Sequence, residues 1–405
     1  MRPHMTDDRR GNDSTRRGFV KAAGLGVLGA ALTGRASADV RRTRQPRELA
    51  LYVGTYTSGA SEGIYLYRLD LADGSLKHAG TTAGVVNPSY LTLDPGRRFL
   101  YAVNEVEEFG GAASGAVSAF AVDRRTGALS FLNQRASKGG APCYVKVAAT
   151  GRFVLVANYV GGNVAVLPVQ ADGGLGEAVD VEQHEGSGPD RERQEAAHAH
   201  FITLDRENRF AYSCDLGTDK VMVYRFDRRT GHLSPNAPPS FSTKPGAGPR
   251  HLAFHPRGRF VYVLNELDST VTALAHDPAR GTLRELQTLS ALPKGFAGAN
   301  TGADIHATPD GRFLYSSNRG HDSLACFAVN ARTGALRPAG HTPTEGKTPR
   351  NFVIDPTGRF VLVANQKSDT VVTFRLDSRT GALRPTGQTA RVPSPVCLKL
   401  VAPFL

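Results

Sequence analysis

Residues 355–365 read Asp-Pro-Thr-Gly-Arg-Phe-Val-Leu-Val-Ala-Asn, a tight turn that leads into an apolar strand ending in asparagine. Pro356 presets the backbone of the turn, and Gly358 supplies a position with positive φ. The pattern recurs along the chain, with its marker phenylalanine at Phe99, Phe153, Phe210, Phe260, Phe313 and Phe360. These residues lie 54, 57, 50, 53 and 47 positions apart, a spacing typical of the blades of a β-propeller.

Each repeat contains four apolar segments separated by turns, which predicts four antiparallel strands per blade. Six copies follow one another from Tyr90 onward, and a seventh is divided between the two ends of the chain. Residues 51–82 supply its second, third and fourth strands, while residues 395–400 match the inner strands of other repeats. Pairing of these two pieces would leave no open sheet edge. The sequence therefore predicts an all-β fold over residues 49–405, a seven-bladed β-propeller of four-stranded antiparallel blades, with the ring closed by pairing of the C-terminal strand with the N-terminal blade.

The N-terminus has the features of an export signal. Residues 15–21 read Thr-Arg-Arg-Gly-Phe-Val-Lys, and a weakly hydrophobic run and Ala-Ser-Ala at 36–38 follow. This resembles a Tat signal peptide with a cleavage site, and the run is too short for a membrane anchor. We expect residues 1–38 to be a Tat-type signal peptide and residues 39–48 a linker. The Tat translocase would then export the chain to the periplasm or the cell exterior, with no stable membrane insertion after cleavage.

The charge and the cysteines exclude several classes of protein. The formal net charge is +12, but seven basic and three acidic residues lie in the first 38 positions. The remaining basic residues are spread over turns without interleaved aromatic residues, so we expect no nucleic-acid partner. The four cysteines, at positions 143, 214, 326 and 397, fall in different repeats and show no Cys-x-x-Cys spacing. This argues against a structural zinc site or a disulfide framework, and no motif predicts a cofactor.

Comparison of the seven copies separates architecture from function, because a residue shared by every blade is structural and a varying one needs another reason. The second strand always ends in a short polar residue: Thr55, Asn104, Asn158, Asp215, Asn265, Asn318 and Asn365. We expect it to bond exposed backbone there. The next position follows no packing rule: Tyr56, Glu105, Tyr159, Leu216, Glu266, Arg319 and Gln366. The entrance of the first strand is equally irregular: Ser89, Cys143, His200, Arg250, Ala303, Arg350 and Pro395.

These two variable positions are expected to meet in space. The first and second strands form a hairpin, and the first strand lines the central channel, so both positions lie around one mouth of that channel. A convergent set of basic, acidic and phenolic groups in a concavity is typical of a small-molecule site. The alternative is a ring of solvated charges or ion pairs that binds no ligand.

Several motifs at this mouth are similar to those of a known family. They are Gly-Thr-Tyr-Thr at 54–57, Ala-His-Ala-His at 197–200, Gly-Pro-Arg-His at 248–251 with Asn-Glu at 265–266, Ala-Asp-Ile-His at 303–306, and Ser-Asn-Arg-Gly at 317–320. With them, residues 49 onward resemble the seven-bladed β-propeller lactonases, which include bacterial 6-phosphogluconolactonase and the fungal carboxy-muconate lactonizing enzyme. The resemblance implies a hydrolase that opens a small-molecule sugar lactone.

The resemblance further implies a site of one histidine, two arginines and one glutamate. Matched by motif, the catalytic set is Glu266, Arg250, His200 and His198, and the substrate-binding set is Arg319, Arg350, Tyr56, Glu105 and Tyr159. Arg319 fits the second arginine of the family better than Arg350 does. In this interpretation Glu266 is the base that activates water, Arg250 and His200 stabilise the oxyanion, and Arg319 clamps an anionic group.

Other interpretations stay open at this point. His198 and His200 would share a face in a strand, where they could hold a metal ion. A muconate-type cycloisomerase would use the same side chains, and a noncatalytic exported propeller would bind protein or carbohydrate. The sequence has no Gly-x-Ser-x-Gly or His-Glu-x-x-His motif, which argues against a serine esterase and a zinc hydrolase. Export would separate the protein from cytoplasmic sugar phosphates, so a phosphate on the substrate is left open.

Overall fold

The structure, a computed structural model, describes residues 47–402. They form seven four-stranded antiparallel sheets whose inner strands contact one another in sequence around a ring. The fold class predicted from the repeats is therefore confirmed. The predicted signal peptide, residues 1–38, lies outside the described residues, as do most of the predicted linker and residues 403–405.

The strands follow the blades in chain order. The first three blades contain β1 (Glu48–Thr55), β2 (Gly63–Asp70) and β3 (Leu76–Ala83); β4 (Leu91–Leu93), β5 (Phe99–Asn104), β6 (Ala116–Val122) and β7 (Leu129–Ala136); and β8 (Pro142–Val147), β9 (Phe153–Asn158), β10 (Asn163–Pro168) and β11 (Asp180–Gln183). The fourth and fifth contain β12 (Ala199–Leu204), β13 (Phe210–Asp215), β14 (Lys220–Phe226) and β15 (Leu233–Ser242); and β16 (Pro249–Phe254), β17 (Phe260–Asn265), β18 (Thr270–Asp277) and β19 (Thr282–Ser290). The sixth and seventh contain β20 (Thr301–Ala307), β21 (Phe313–Arg319), β22 (Ser323–Val329) and β23 (Leu336–Pro343); and β24 (Pro349–Ile354), β25 (Phe360–Asn365), a 3-10 turn (Gln366–Ser368), β26 (Thr370–Leu376) and β27 (Leu383–Arg391). The last strand is β28 (Pro395–Val401).

The C-terminal strand completes the first blade. β28 pairs antiparallel with β1, with Leu398 opposite Val53, and the strand order of this sheet is β28-β1-β2-β3. The inner strand of the first blade therefore comes from the other end of the chain. The predicted closure is confirmed, and it leaves the β1 edge paired.

The turn between the first and second strands needs a residue in the left-handed region. Gly358 has φ of 67°, and Asn208, which replaces glycine in the fourth blade, has φ of 54°. Asparagine is the residue that tolerates this conformation best after glycine. In the second blade Arg97 takes the position with φ of 55°, although Gly96 precedes it. The turn geometry is thus kept even where the glycine is displaced by one residue.

The asparagine that ends the second strand joins neighbouring blades. Its Nδ2 donates to a main-chain carbonyl that follows the outer strand of the preceding blade: Asn104 to Val86 at 2.8 Å, Asn158 to Ser137 at 2.8 Å, Asn318 to Ala291 at 2.8 Å and Asn365 to Thr344 at 2.9 Å. At these four positions the prediction of a backbone bond is confirmed. A buried tyrosine in the same strand also reaches the next blade, as when Tyr101 donates to the carbonyl of Gly173 at 3.0 Å.

The inner strands share an irregularity that the repeats did not reveal. In β16 the pairing with β17 passes from Pro249 opposite Asn265 directly to His251 opposite Leu264, so Arg250 is an extra residue. The same shift occurs in four other inner strands and makes Cys143, His200, Arg350 and Val396 extra residues. A bulge re-aims its side chains and sharpens the local twist. It is this local feature that brings the variable residue of the strand entrance into the channel.

Candidate active site at the channel mouth

The variable residues of the inner and second strands meet at one mouth of the channel, around a cavity of about 10 Å³. The cavity is lined by Tyr56, Ser89, Tyr90, Glu105, Cys143, His200, Arg250, His251, Arg350, Asn351 and Val396. Val396, and not the expected Pro395, takes the place of the seventh entrance residue. Pro395 pairs with Thr55 just as Pro249 pairs with Asn265, so the entrance is one residue later than the sequence alignment predicted.

Glu266 directly follows β17 and is buried, with 3% of its surface exposed. Its Oε2 lies 2.8 Å from Nε of Arg250 and 2.9 Å from a terminal nitrogen of Arg319. Its Oε1 accepts a hydrogen bond of 2.7 Å from Arg193. One carboxylate thus holds three guanidinium groups, and these four residues are called the Glu266 cluster.

The three arginines determine the charge of Glu266. Burial opposes its ionisation, but the charges of Arg319 and Arg250 and the hydrogen bond from Arg193 outweigh burial and lower its pKa to about 2. Burial lowers the pKa of Arg319 to about 10, which still leaves it charged at neutral pH. The Nε of Arg319 is buried and forms no hydrogen bond with any described residue, whereas the Nε of Arg250 lies in the 2.8 Å ion pair with Glu266. The cluster therefore combines a weakly basic carboxylate with cationic donors that a ligand can satisfy.

Glu105 occupies the position of Glu266 in the second blade, but hydroxyl groups hold it. Tyr56 donates to its Oε1 at 2.9 Å, and Ser89 donates a short hydrogen bond to its Oε2. Arg350 in turn donates to the Tyr56 hydroxyl at 2.9 Å. Burial raises the pKa of the Tyr56 phenol, so this group stays a donor to Glu105. These four residues are called the Glu105 cluster, and Glu105 is the one carboxylate among the described residues that line the cavity.

His200 also lines the cavity. Burial, Arg250 and His251 lower its pKa well below the ordinary value, so the imidazole is neutral at neutral pH. Its Nδ1 lies 3.6 Å from Sγ of Cys143, while its Nε2 has no hydrogen-bond partner between residues 47 and 402. A neutral ring with one free nitrogen at the cavity wall is suited to contact a ligand.

His198 differs from His200 in its hydrogen-bond partners. It precedes β12, and its ring stacks on Tyr159 with centroids 4.4 Å apart. Its Nδ1 bonds the main-chain carbonyl of Tyr159 at 3.0 Å, and its Nε2 lies 3.0 Å from Glu195. His198 lies outside β12 and His200 is the extra residue of its bulge, but both rings contact Tyr159, whose centroid lies 4.4 Å from that of His198 and 5.5 Å from that of His200.

Arg193 belongs to the site although the sequence did not point to it. It lies in the segment that joins β11 to β12, and its side chain donates to the Tyr159 hydroxyl at 3.3 Å as well as to Glu266. The only sequence signal is that this repeat is the longest, with 57 residues between its marker and the next. That spacing reveals an insertion, but it does not reveal which side chain of the insertion reaches the mouth.

The mouth carries an excess of positive charge. Four guanidinium groups, from Arg193, Arg250, Arg319 and Arg350, face two carboxylates, while the lowered pKa values of the two cavity histidines, His200 and His251, keep both rings neutral. The alternative of a ring of ion pairs therefore describes only part of the arrangement. The remaining positive charge favours an anionic ligand or a developing oxyanion.

The described part of the chain offers no group of three or more His, Cys, Asp or Glu side chains placed to hold a metal ion. Between residues 47 and 402, no helix has the length and hydrophobicity of a membrane span.

The fold and the residues at this mouth correspond to one known family. The family model described as lactonase, 7-bladed beta-propeller matches residues 50–400. The chain belongs to this family of seven-bladed β-propeller lactonases, as the sequence motifs predicted.

Individual relatives carry the same assignment. The chain is 42% identical over 350 residues to a 6-phosphogluconolactonase of Bacillus subtilis, covering 86% of this chain and 97% of that protein. A 6-phosphogluconolactonase of Formosa agariphila is 34% identical and covers 75% of this chain, which spans 86% of that protein. The solved structure of the Pseudomonas aeruginosa periplasmic gluconolactonase superimposes with a TM-score of 0.83 at 41% identity, covering 88% of this chain and 99% of the other.

Proposed function

We propose that the channel mouth is the active site of a lactonase that opens a sugar lactone, with an activity like that of 6-phosphogluconolactonase. The observation that carries this proposal is the excess of guanidinium groups over carboxylates around a cavity with room for about one water molecule. Hydrolysis of a lactone needs water, a base and cationic donors for the oxyanion. Relatives named 6-phosphogluconolactonase and gluconolactonase support the hydrolase over a muconate cycloisomerase or a noncatalytic binding protein.

The reaction adds water to the lactone carbonyl carbon and then breaks the ring C–O bond to give a hydroxy acid. Negative charge develops on the carbonyl oxygen in the first step. Arg250 and Arg319 are the proposed donors to that oxygen, since the Arg250 guanidinium lines the cavity and Arg319 keeps a buried Nε–H without a hydrogen-bond partner among the described residues. The neutral His200 contributes a further imidazole nitrogen at the cavity wall.

We assign the base that activates the water from the side chains that surround each of the two glutamates. Glu266 as the base stays a prediction, and its pKa of about 2 makes it a weak base while three arginines hold it. Glu105 lines the cavity and receives hydrogen bonds from uncharged hydroxyl groups. The geometry therefore supports Glu105 as the base and Glu266 as the residue that positions the arginines.

The polar end of the substrate is held by the remaining cations of the mouth. Arg350 belongs to the Glu105 cluster and Arg319 to the Glu266 cluster. The side chain of Arg193 is 39% exposed at the rim. Guanidinium groups bind carboxylate or phosphate in a bidentate manner. Tyr56 and Tyr159, which contact Arg350 and Arg193 respectively, orient these groups. His198 supports Tyr159 by stacking.

The protein is further proposed to be exported by the Tat translocase and to act in the periplasm or outside the cell, without stable membrane insertion after cleavage. The twin arginines at 16 and 17 support export, and the Pseudomonas aeruginosa relative is named as periplasmic. Replacing both arginines by lysine is expected to leave the uncleaved chain in the cytoplasm. Cleaved protein outside the membrane of a strain that lacks the translocase would contradict export by this route.

The activity is tested with purified protein, glucono-1,5-lactone and its 6-phosphate, by following acid release at constant pH above the spontaneous rate. We expect Arg250→Lys to lower kcat/KM, because an ammonium group cannot reproduce the guanidinium fork. Arg257→Lys, in an exposed turn, is the matched control and should leave the rate unchanged. No acceleration with either lactone would refute the proposal, and turnover of muconates instead would favour the cycloisomerase.

A further inference from the structure

The channel is closed just below the mouth by a level of side chains that follows the bulges. This plug consists of Tyr90, Tyr144, Phe201, His251, Asp304 and Asn351. The ring of Tyr90 lies 4.1 Å from that of Tyr144 and 6.1 Å from that of His251, centroid to centroid. Tyr90 and His251 belong to the second and fifth blades, which are not neighbours, so their contact crosses the channel. The opposite end is therefore separate from the lactone site.

Beyond the plug, four consecutive blades present alternating lysine and threonine at one level of the inner strands. Their register partners on the second strands are equivalent: Lys399 is opposite Tyr52, Thr92 opposite Tyr101, Lys146 opposite Leu155, and Thr203 opposite Tyr212. At this level the other three blades present Ala253, His306 and Val353.

The two lysines point into the channel. Lys146 is exposed, while its neighbours Val145 and Val147 on the same strand are buried. The Nζ of Lys399 lies 4.1 Å from the ring centroid of Tyr90, which belongs to the plug. Because side chains alternate along a strand, both ammonium groups face the channel and not the space between blades.

Apart from the contact of Lys399 with the Tyr90 ring, the polar groups of these four side chains have no hydrogen-bond or ion-pair partner among the described residues. Between residues 47 and 402, no acidic side chain pairs with Lys146 or Lys399, and the hydroxyl groups of Thr92 and Thr203 form no hydrogen bond. Asp304, the acidic residue of the plug, is already bonded to other side chains, namely His251, His306 and Asn351.

The lysines also repel each other. The surrounding protein and the charge of Lys399 lower the pKa of Lys146. Two like charges in a confined channel cost free energy unless an anion lies between them.

We propose that this end of the channel binds a small oxyanion of the phosphate class. Lys146 and Lys399 supply the charge, and the hydroxyl groups of Thr92 and Thr203 supply neutral donors beside them. Lysine binds phosphate as a point charge, and several uncoordinated donors around one space match its several acceptor oxygens. The site uses none of the residues of the lactone site, so binding there does not depend on the proposed reaction.

The test is calorimetric titration with inorganic phosphate at constant ionic strength, with a sugar phosphate titrated separately to tell a free anion from an esterified one. Lys146→Met with Lys399→Met keeps side-chain length and removes both charges, so we expect the phosphate affinity of this site to fall by about tenfold or more. Lys146→Arg with Lys399→Arg should retain binding. Lys77→Met, exposed on an outer strand, should bind as the unmodified protein does.

Two further measurements keep the result unambiguous. Lactone hydrolysis at the unmodified rate by the double methionine variant shows that it is folded and that its mouth is intact. Phosphate bound at the arginines of the mouth raises KM for the lactone, whereas phosphate at the lysines does not. Equal phosphate affinity in the unmodified protein and the double methionine variant, or phosphate that acts only as a competitor of the lactone, overturns the proposal.

Discussion

Glu105 and Glu266 occupy the same position in two blades, each directly after the asparagine that ends the second strand, yet they lie in different environments. Glu266 is held by three guanidinium groups, from the fifth blade, the sixth blade and the segment before the fourth. Glu105 is held by the hydroxyl groups of Tyr56 and Ser89. The blade determines where the backbone places each carboxylate. The surrounding side chains, from the same blade and from others, determine whether its partners are charged or neutral, and therefore its proposed role.

Arg250 and Arg350 give a second comparison of equivalent positions, this time between two cationic side chains. Both are the extra residue of a bulge in an inner strand. Arg250 contacts the carboxylate of Glu266, whereas Arg350 donates to the phenol of Tyr56 and forms no ion pair with a carboxylate of residues 47–402. Equivalent positions in the repeat thus serve two clusters, one ionic and one based on hydroxyl groups, on the two sides of the same cavity.

The largest expected effect is on kcat, which should distinguish the roles of the two glutamates. Glu105→Gln removes the proposed base while keeping size and hydrogen bonding, so we expect kcat to fall by about two to four powers of ten with little change in fold. Steady-state hydrolysis of the lactone measures this. Glu108→Gln, exposed in the same blade, is the control. Loss of turnover in Glu266→Gln together with near-normal turnover in Glu105→Gln would reverse the two roles.

The second effect separates the glutamates by stability. Glu266→Gln leaves three arginines without their counter-charge, and removing one partner of a buried ionic group costs about 3 kcal/mol. Glu105→Gln leaves hydroxyl partners that can also bond an amide, so its loss should be much smaller. Denaturant unfolding of both variants gives the comparison. Equal stability losses in the two would show that Glu266 does not hold the arginines in the way described.

The same contrast should depend on pH. The pKa of Glu266 is lowered in the folded protein to about 2 from an ordinary value of 4.5. Its ionisation therefore contributes stability that is fully present above pH 4.5 and is lost as the pH falls towards 2. We expect the difference in unfolding free energy between the unmodified protein and Glu266→Gln to shrink across this window. A difference that stays constant from pH 5 to pH 2 would contradict the lowered pKa.

The smallest effect compares the two phenols. Tyr56→Phe removes a 2.9 Å donor to Glu105 and the acceptor for Arg350, so kcat/KM should fall by about tenfold, the scale of one hydrogen bond to a charged group. Tyr159→Phe removes only a 3.3 Å contact with Arg193 and should cost less. If the two substitutions have the same effect, the Glu105 cluster has no special part in catalysis.

Much of the proposed site could be predicted by comparing the repeats. Because the residue after the second strand and the residue entering the first vary without a packing reason, Glu105, Glu266, Arg319, Tyr56 and Tyr159 could be selected from the sequence. Arg193 could not, since its segment is an insertion with no counterpart in other blades. The bulge that makes His200 an extra residue of its strand is likewise not revealed by a regular strand pattern.

The sequence by itself determined the number of blades, the ring closure and most of the residues around the mouth. Each of these follows from local turn chemistry and from the repeated pattern of strands and turns along the chain. Which carboxylate is surrounded by arginines, and which by hydroxyl groups, was decided only by the tertiary structure. Some of the partners, such as Tyr56 for Glu105 and Arg193 for Glu266, lie 49 and 73 positions away in the sequence. Electrostatic environment depends on distances in space that no local pattern encodes.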